Sequence, residues 1–150
     1  MNMKLEVVII PVSDVDRAKA FYEKLGWRLD GDFVINENLR AIQFTPPCSD
    51  ASIIFGKGVS TAKPGSGNEL VLAVDNIEAA RAELLERGAN VSEVFHYESF
   101  PFNNSVADNR ISGREPENRT YATFVSFEDP DGNRWLVQEI TSRLPGREWK

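Results

Sequence analysis

Val7 to Gly26 reads VVIIPVSDVDRAKAFYEKLG, and the chain writes it again as Glu69 to Gly88, ELVLAVDNIEAARAELLERG. The offset is 62 residues (69 − 7). Under it Val12 falls on Val74, Val15 on Ile77, Asp16 on Glu78, Ala18 on Ala80, Ala20 on Ala82 and Gly26 on Gly88. Each copy opens with an apolar, β-branched run that predicts a strand. In the first, Val8, Ile10 and Val12 share one face and Val7, Ile9 and Pro11 the other. In the second, Leu70, Leu72 and Val74 face the helix, and Glu69, Val71 and Ala73 the opposite side. Ser13 with Asp16 reads as a cap and capping-box pair, which Asp75 and Glu78 rebuild in the second copy. Val15, Ala18, Phe21, Tyr22 and Leu25 form one helical stripe, and Gly26 is the expected stop.

Working outward, Trp27 to Asp32, Leu39 to Phe44 and Ser52 to Phe55 read as three more strands. Gly56 to Gly67, rich in Gly, Ser, Lys and Pro, reads as a linker. Val91 to His96 is the next strand. Phe44-Thr-Pro46 and Phe127-Glu-Asp-Pro130 look like the same strand end, 83 residues apart (127 − 44). Subtracting the repeat offset, 83 − 62, leaves an insertion of about 21 residues in the second copy, within Tyr97 to Thr120. Tyr121 to Glu128 and Arg134 to Ile140 form a last hairpin around the turn Asp129-Pro-Asp-Gly-Asn133. Thr141 to Lys150 reads as a surface extension. The expected fold is α+β, two tandem β-α-β-β-β units whose mixed sheets curve round a cleft. They make one domain over 1–150: repeat 1 about 4–56, linker about 57–67, and repeat 2 about 68–141 with a loop insertion about 97–120.

The bulk properties narrow the partners. With 41% hydrophobic and 27% charged residues, 150 residues suffice for a buried core. A net charge of −6 argues against nucleic acid or an anionic membrane surface, and favours a neutral or cationic small molecule. The single cysteine, Cys48, forbids an intrachain disulfide and suits a reducing cytoplasm. No run approaches a membrane span or a signal-peptide core.

The paired units, the opening VSDVDRAKAFYEKLGW and the hairpin DPDGNRW resemble the vicinal oxygen chelate superfamily, over about Leu5 to Ile140. That superfamily includes glyoxalase I, extradiol dioxygenases, fosfomycin-resistance enzymes and bleomycin-resistance proteins. The resemblance implies a ligand cleft and a homodimer. In metal-using relatives a His opens the first strand of each unit and a Glu stands on the last strand. The matching positions here are Val7 (12 − 5), Glu69 (74 − 5) and Leu136 (129 + 7). Two are aliphatic and carry no donor atom, so no cofactor is expected, with a divalent metal kept as the disfavoured alternative.

Candidate site residues follow. Glu69, at a ligand position of the repeat, and His96, the sole histidine, are candidate acid/base groups. Gln138, Arg40 and Gln43 are polar side chains on inner strands that could orient a ligand. Tyr97, Phe100, Phe102 and Tyr121 could line a pocket, and Val7 and Ile9 with Val71 give apolar cleft positions. Cys48 has no base partner in sequence and reads as a loop thiol. Gly65-Ser-Gly67 precedes a strand, so it is no phosphate loop. The leading expectation is a metal-independent small-molecule binder of the resistance or sequestration kind. The alternative is a lyase or dioxygenase of the glyoxalase type, with a degenerate metal site or with His96 and Glu69 as acid and base.

Overall fold

The computed structural model describes residues 1–98 and 109–149, so Phe100 and Phe102 lie outside the described residues. The chain divides into two compact units. The first comprises Met1–Asn68 with Glu128–Arg134, the second Glu69–Phe127 with Trp135–Lys150. Two helices and nine strands in two open, mixed sheets are seen among the described residues, an α+β fold.

In the first unit, β1 (Val7–Ile9), α1 (Val15–Lys24), β2 (Arg28–Asn36), β3 (Leu39–Thr45) and β4 (Ser52–Lys57) follow the expected order. The sheet runs β1-β4-β3-β2, with β1 parallel to β4 and the other pairs antiparallel. Cross-strand partners share a face, so Val8 with Ile53, Phe44 with Ile53 and Ile42 with Phe55 place one apolar layer together. Helix α1 covers that layer with Tyr22, which is fully buried. Its ring lies 5.1 Å from Trp27, 5.5 Å from Phe55 and 6.1 Å from Phe44. The helix is capped by Asp14, not Ser13: the Asp14 carboxylate accepts from the Arg17 N–H at 3.0 Å. Ser13 instead gives its backbone N–H to Asp131, and Asp16 accepts from Arg40.

The DPDGN turn belongs to this unit and is built as a polar plug. Tyr22 Oη donates to Asp129 Oδ2 at 3.0 Å. Asp129 also accepts from the backbone of Asp131 and Asn133 and from Asn133 Nδ2. The Asn133 amide reaches the Pro11 carbonyl at 2.8 Å and accepts from Gly67 N at 2.7 Å. The glycine pair before β5 is explained by this approach. A Cβ on Gly65, whose φ is +81°, would stand 2.1 Å from the Asp131 carbonyl oxygen, and one on Gly67 would stand 2.7 Å from Asn133 Oδ1.

The second unit contains β5 (Leu70–Val74), α2 (Ile77–Glu86), β6 (Phe95–Tyr97), β7 (Arg110–Ser112), β8 (Phe124–Glu128) and β9 (Arg134–Glu139), in sheet order β5-β9-β8-β6-β7. β5 runs parallel to β9, and β6 antiparallel to β7 and β8. Strand β7 corrects the expected pattern. Arg110–Ser112 of the insertion pair with β6, adding an edge strand. The predicted strand at Val91 to His96 shortens to β6, with Val91 retained as an isolated bridge to Phe127. Asn76, not Asp75, caps α2 and accepts from Ala79 N at 2.9 Å. Glu78 is taken by Arg114, which also binds Glu139. These contacts hold the Glu78 carboxyl below the usual range and push the Arg114 guanidinium up. Glu139, 7% exposed, accepts from the Ile77 N–H at the start of α2 as well.

Candidate functional site

Each sheet has one face under its helix and one open face, and the register sorts the candidate residues between them. In the first unit Val7 pairs with Ser52, Ile9 with Ile54, and Gln43 with Ile54, so Val7, Ile9 and Gln43 share the open face. Ile9 is 49% exposed there. Beside them, Asp30 accepts from Thr45 Oγ1, from Arg28 Nε at 2.6 Å and from Gln43 Nε2 at 3.4 Å. The Thr45 hydroxyl foremost, with Arg28 and Gln43, holds the Asp30 carboxyl below its ordinary value. Arg40 lies on the other face. Its guanidinium binds Asp32 twice, at 2.9 and 2.8 Å, and Asp16 of α1 at 2.8 Å. It ties helix to sheet and is spent on that pairing.

In the second unit the open face carries Val71, Ala73, Leu136 and Gln138, paired across β5 and β9. Phe95, Tyr97, Phe124 and Leu136 pack there as a buried cluster, and Arg110 stacks over Phe95 at 4.1 Å. A pocket of about 390 Å³ opens beside them. Val71, Ala73 and Gln138 of the sheet face line it, with Ile140, Tyr121, and Arg143, Leu144 and Arg147 of the C-terminal segment. Gln138 Nε2 donates to the Tyr121 carbonyl at 2.8 Å. Tyr121 Oη accepts from Leu144 N at 3.2 Å, which leaves the phenol proton free to donate and fastens the segment down. The segment expected as a surface extension therefore lines the pocket. Arg143, Leu144 and Arg147 escaped the sequence reading because irregular chain carries no periodicity.

His96 stands apart from this pocket. It pairs with Ile111, whereas its neighbours Phe95 and Tyr97 face the open side, so the imidazole is on the helix side of the sheet. Its Nδ1 donates to the Gly113 carbonyl at 2.8 Å. A smaller recess of about 260 Å³ adjoins it, lined also by Tyr97, Glu115 and Arg119. Glu69 precedes β5 and has φ +59°. Strands β9 and β8 stand between β5 and β6, so about 14 Å of sheet separates the Glu69 end from His96. The two groups are not brought together on one substrate atom.

Comparison with known proteins follows this geometry. A family profile described as Glyoxalase/Bleomycin resistance protein/Dioxygenase superfamily matches residues 4–137. The chain belongs to that superfamily. No curated protein matches. Among solved structures it is similar to TnmS3, an antibiotic binding protein from Streptomyces sp. CB03234, at 28% identity and TM-score 0.66, over 93% of this chain and 97% of that one. A glyoxalase/bleomycin resistance protein from the same organism gives 28% identity and TM-score 0.63, over 91% and 100%. A superfamily member from Sphaerobacter thermophilus DSM 20745 shares the fold at 24% identity and TM-score 0.66, over 92% and 98%.

Metal-using members of this superfamily need a set of donor side chains, and the three positions matched to that set here supply one donor between them. Val7 offers only methyl groups and pairs with Ser52. Leu136 is 2% exposed inside the aromatic cluster. Only Glu69 of the three positions has a donor, and one carboxylate does not hold a divalent ion. Among the described residues no group of three or more His, Cys, Asp or Glu side chains stands close enough to ligate one. No helix described is long and apolar enough to cross a membrane.

Proposed function

We propose that this chain binds a small organic molecule of the antibiotic kind in the second-unit pocket and retains it unchanged, without a metal. The observation that carries the reading is the pocket itself. It combines apolar side chains with a few convergent polar groups, in the size range of drug-binding sites. Val71, 51% exposed on a sheet face, is apolar surface that a ligand would cover. Similarity along nearly the full length to an antibiotic binding protein supports the ligand class. Within the first unit, Gln43, Val7 and Ile9 are proposed as contacts for a ligand on that unit's own open face; within the second, Tyr97 is proposed as support beneath Phe95. We also propose a homodimer, since edge strand β2 leaves Phe33, Val34 and Ile35 exposed in succession.

Thermal unfolding against a panel of aromatic antibiotics tests the reading. At least one compound is expected to raise the midpoint by several degrees, and Ala73→Trp, which fills the pocket, is expected to abolish the rise. A rise that survives Ala73→Trp would place the ligand elsewhere.

A further inference from the structure

We infer that the ligand is an apolar acid, its oxyanion held by Arg143 and Arg147. This rests on the pocket reading above and adds the chemical class. The chain has eleven arginines. Nine of them direct their guanidinium to an oxygen of the protein, as Arg40 does to Asp32 and Arg114 to Glu139. Arg143 and Arg147 do not, among the described residues, and both line the pocket. In a chain of net charge −6, with 23 acidic residues, these two cations line one cavity and form no ion pair among the described residues.

Exposed arginines on a terminal segment are ordinarily satisfied by water, and that explanation fails for the Nε of Arg143. Its Nε is buried and has no hydrogen-bond acceptor. A buried, unmatched donor on a charged group is costly, and a bound acceptor recovers that cost. The guanidinium is also held in place, stacked on the Trp149 ring at 3.5 Å from its centroid. Stacking uses the face of the cation and leaves its edge donors for an acceptor in the plane. A planar oxyanion such as a carboxylate or sulfonate matches that fork. Leu144, 61% exposed between the two arginines in sequence, and Val71 opposite supply apolar surface for the rest of the molecule. The Tyr121 phenol adds a neutral donor for a further oxygen.

The test compares two fluorescent probes with the same rings. 1-Anilinonaphthalene-8-sulfonate carries the oxyanion, and N-phenyl-1-naphthylamine lacks it. The sulfonate is expected to bind at least tenfold tighter, and raised salt should weaken it alone. R143Q/R147Q should bring the sulfonate down to the neutral probe's affinity and leave the neutral probe unchanged. Ala73→Trp should abolish both. Equal affinities, both lost in Ala73→Trp and neither altered by R143Q/R147Q, would overturn the acid class while leaving the pocket reading standing. Binding untouched by Ala73→Trp would overturn the pocket reading and this inference with it. If the double variant does not fold, the probe comparison and its salt dependence on the unaltered chain decide.

Discussion

Tyr22→Phe removes one oxygen and leaves the ring. The ring packs against Trp27, Phe44 and Phe55, while the hydroxyl donates to the buried Asp129. Asp129 keeps its other donors, so the loss should be about 1–2 kcal/mol, read as a lower denaturant midpoint with an unchanged slope. Asp32 sets an acid limit. The Arg40 guanidinium first, then the Lys19 ammonium, hold its carboxyl well below the usual carboxylate range. Its folded-state value is depressed, so its contribution is complete above the unfolded value of about 3.9. It is lost as pH falls from there toward the folded value. Asp32→Asn should lower stability at pH 7 and shrink the further drop between about pH 4 and pH 2, measured by urea unfolding at each pH. Alternation along a strand can be counted in a sequence, and it sorts some residues between the two faces of a sheet. Gln138 and Tyr121 both line the pocket, and Val71 faces it. Arg40 and Gln43 stand three apart on one strand and therefore face opposite ways, a parity that separates them without a structure.

At the scale of elements, the repeat made the helices and their flanking strands legible, since two copies of one pattern correct each other. Caps were read one residue early in both copies. Ser13 and Asp75 precede the true caps, Asp14 and Asn76. Several neighbouring residues here are all competent N-caps, and only the tertiary partner decides: Ser13 is drawn off to Asp131. Asn76→Ala should cost about 1 kcal/mol, whereas Asp75→Ala should cost far less, by chemical denaturation. The insertion hid β7 because three residues, Arg110–Ser112, give too short a run for alternation to register. The C-terminal lining was hidden more completely. Its place depends on Tyr121 Oη receiving Leu144 N, a contact between two irregular segments.

The superfamily and the doubled architecture were both readable in the sequence of the whole molecule, because they rest on patterns spanning most of its length. The ligand class was less readable, since it depends on which charges go unpaired. The overall charge of −6 favours a neutral or cationic partner, whereas the pocket is lined by two arginines that form no ion pair among the described residues. Net charge averages over the surface, whereas a binding site samples a few ångströms of it. The exposed run Phe33, Val34, Ile35 on edge strand β2 gives the oligomer prediction. Sedimentation should return twice the chain mass of 16.8 kDa, and Val34→Lys should return it to one chain.

Native mass spectrometry of the chelator-treated chain, incubated with a library of aromatic acids in the presence and absence of divalent metal ions, tests the central claim most directly. It weighs ligand and any metal together. The account predicts a one-to-one complex per chain at the unaltered ligand mass, with no metal ion added, absent in Ala73→Trp. A complex that forms only with a bound metal, or one that carries the mass of a product, would contradict it.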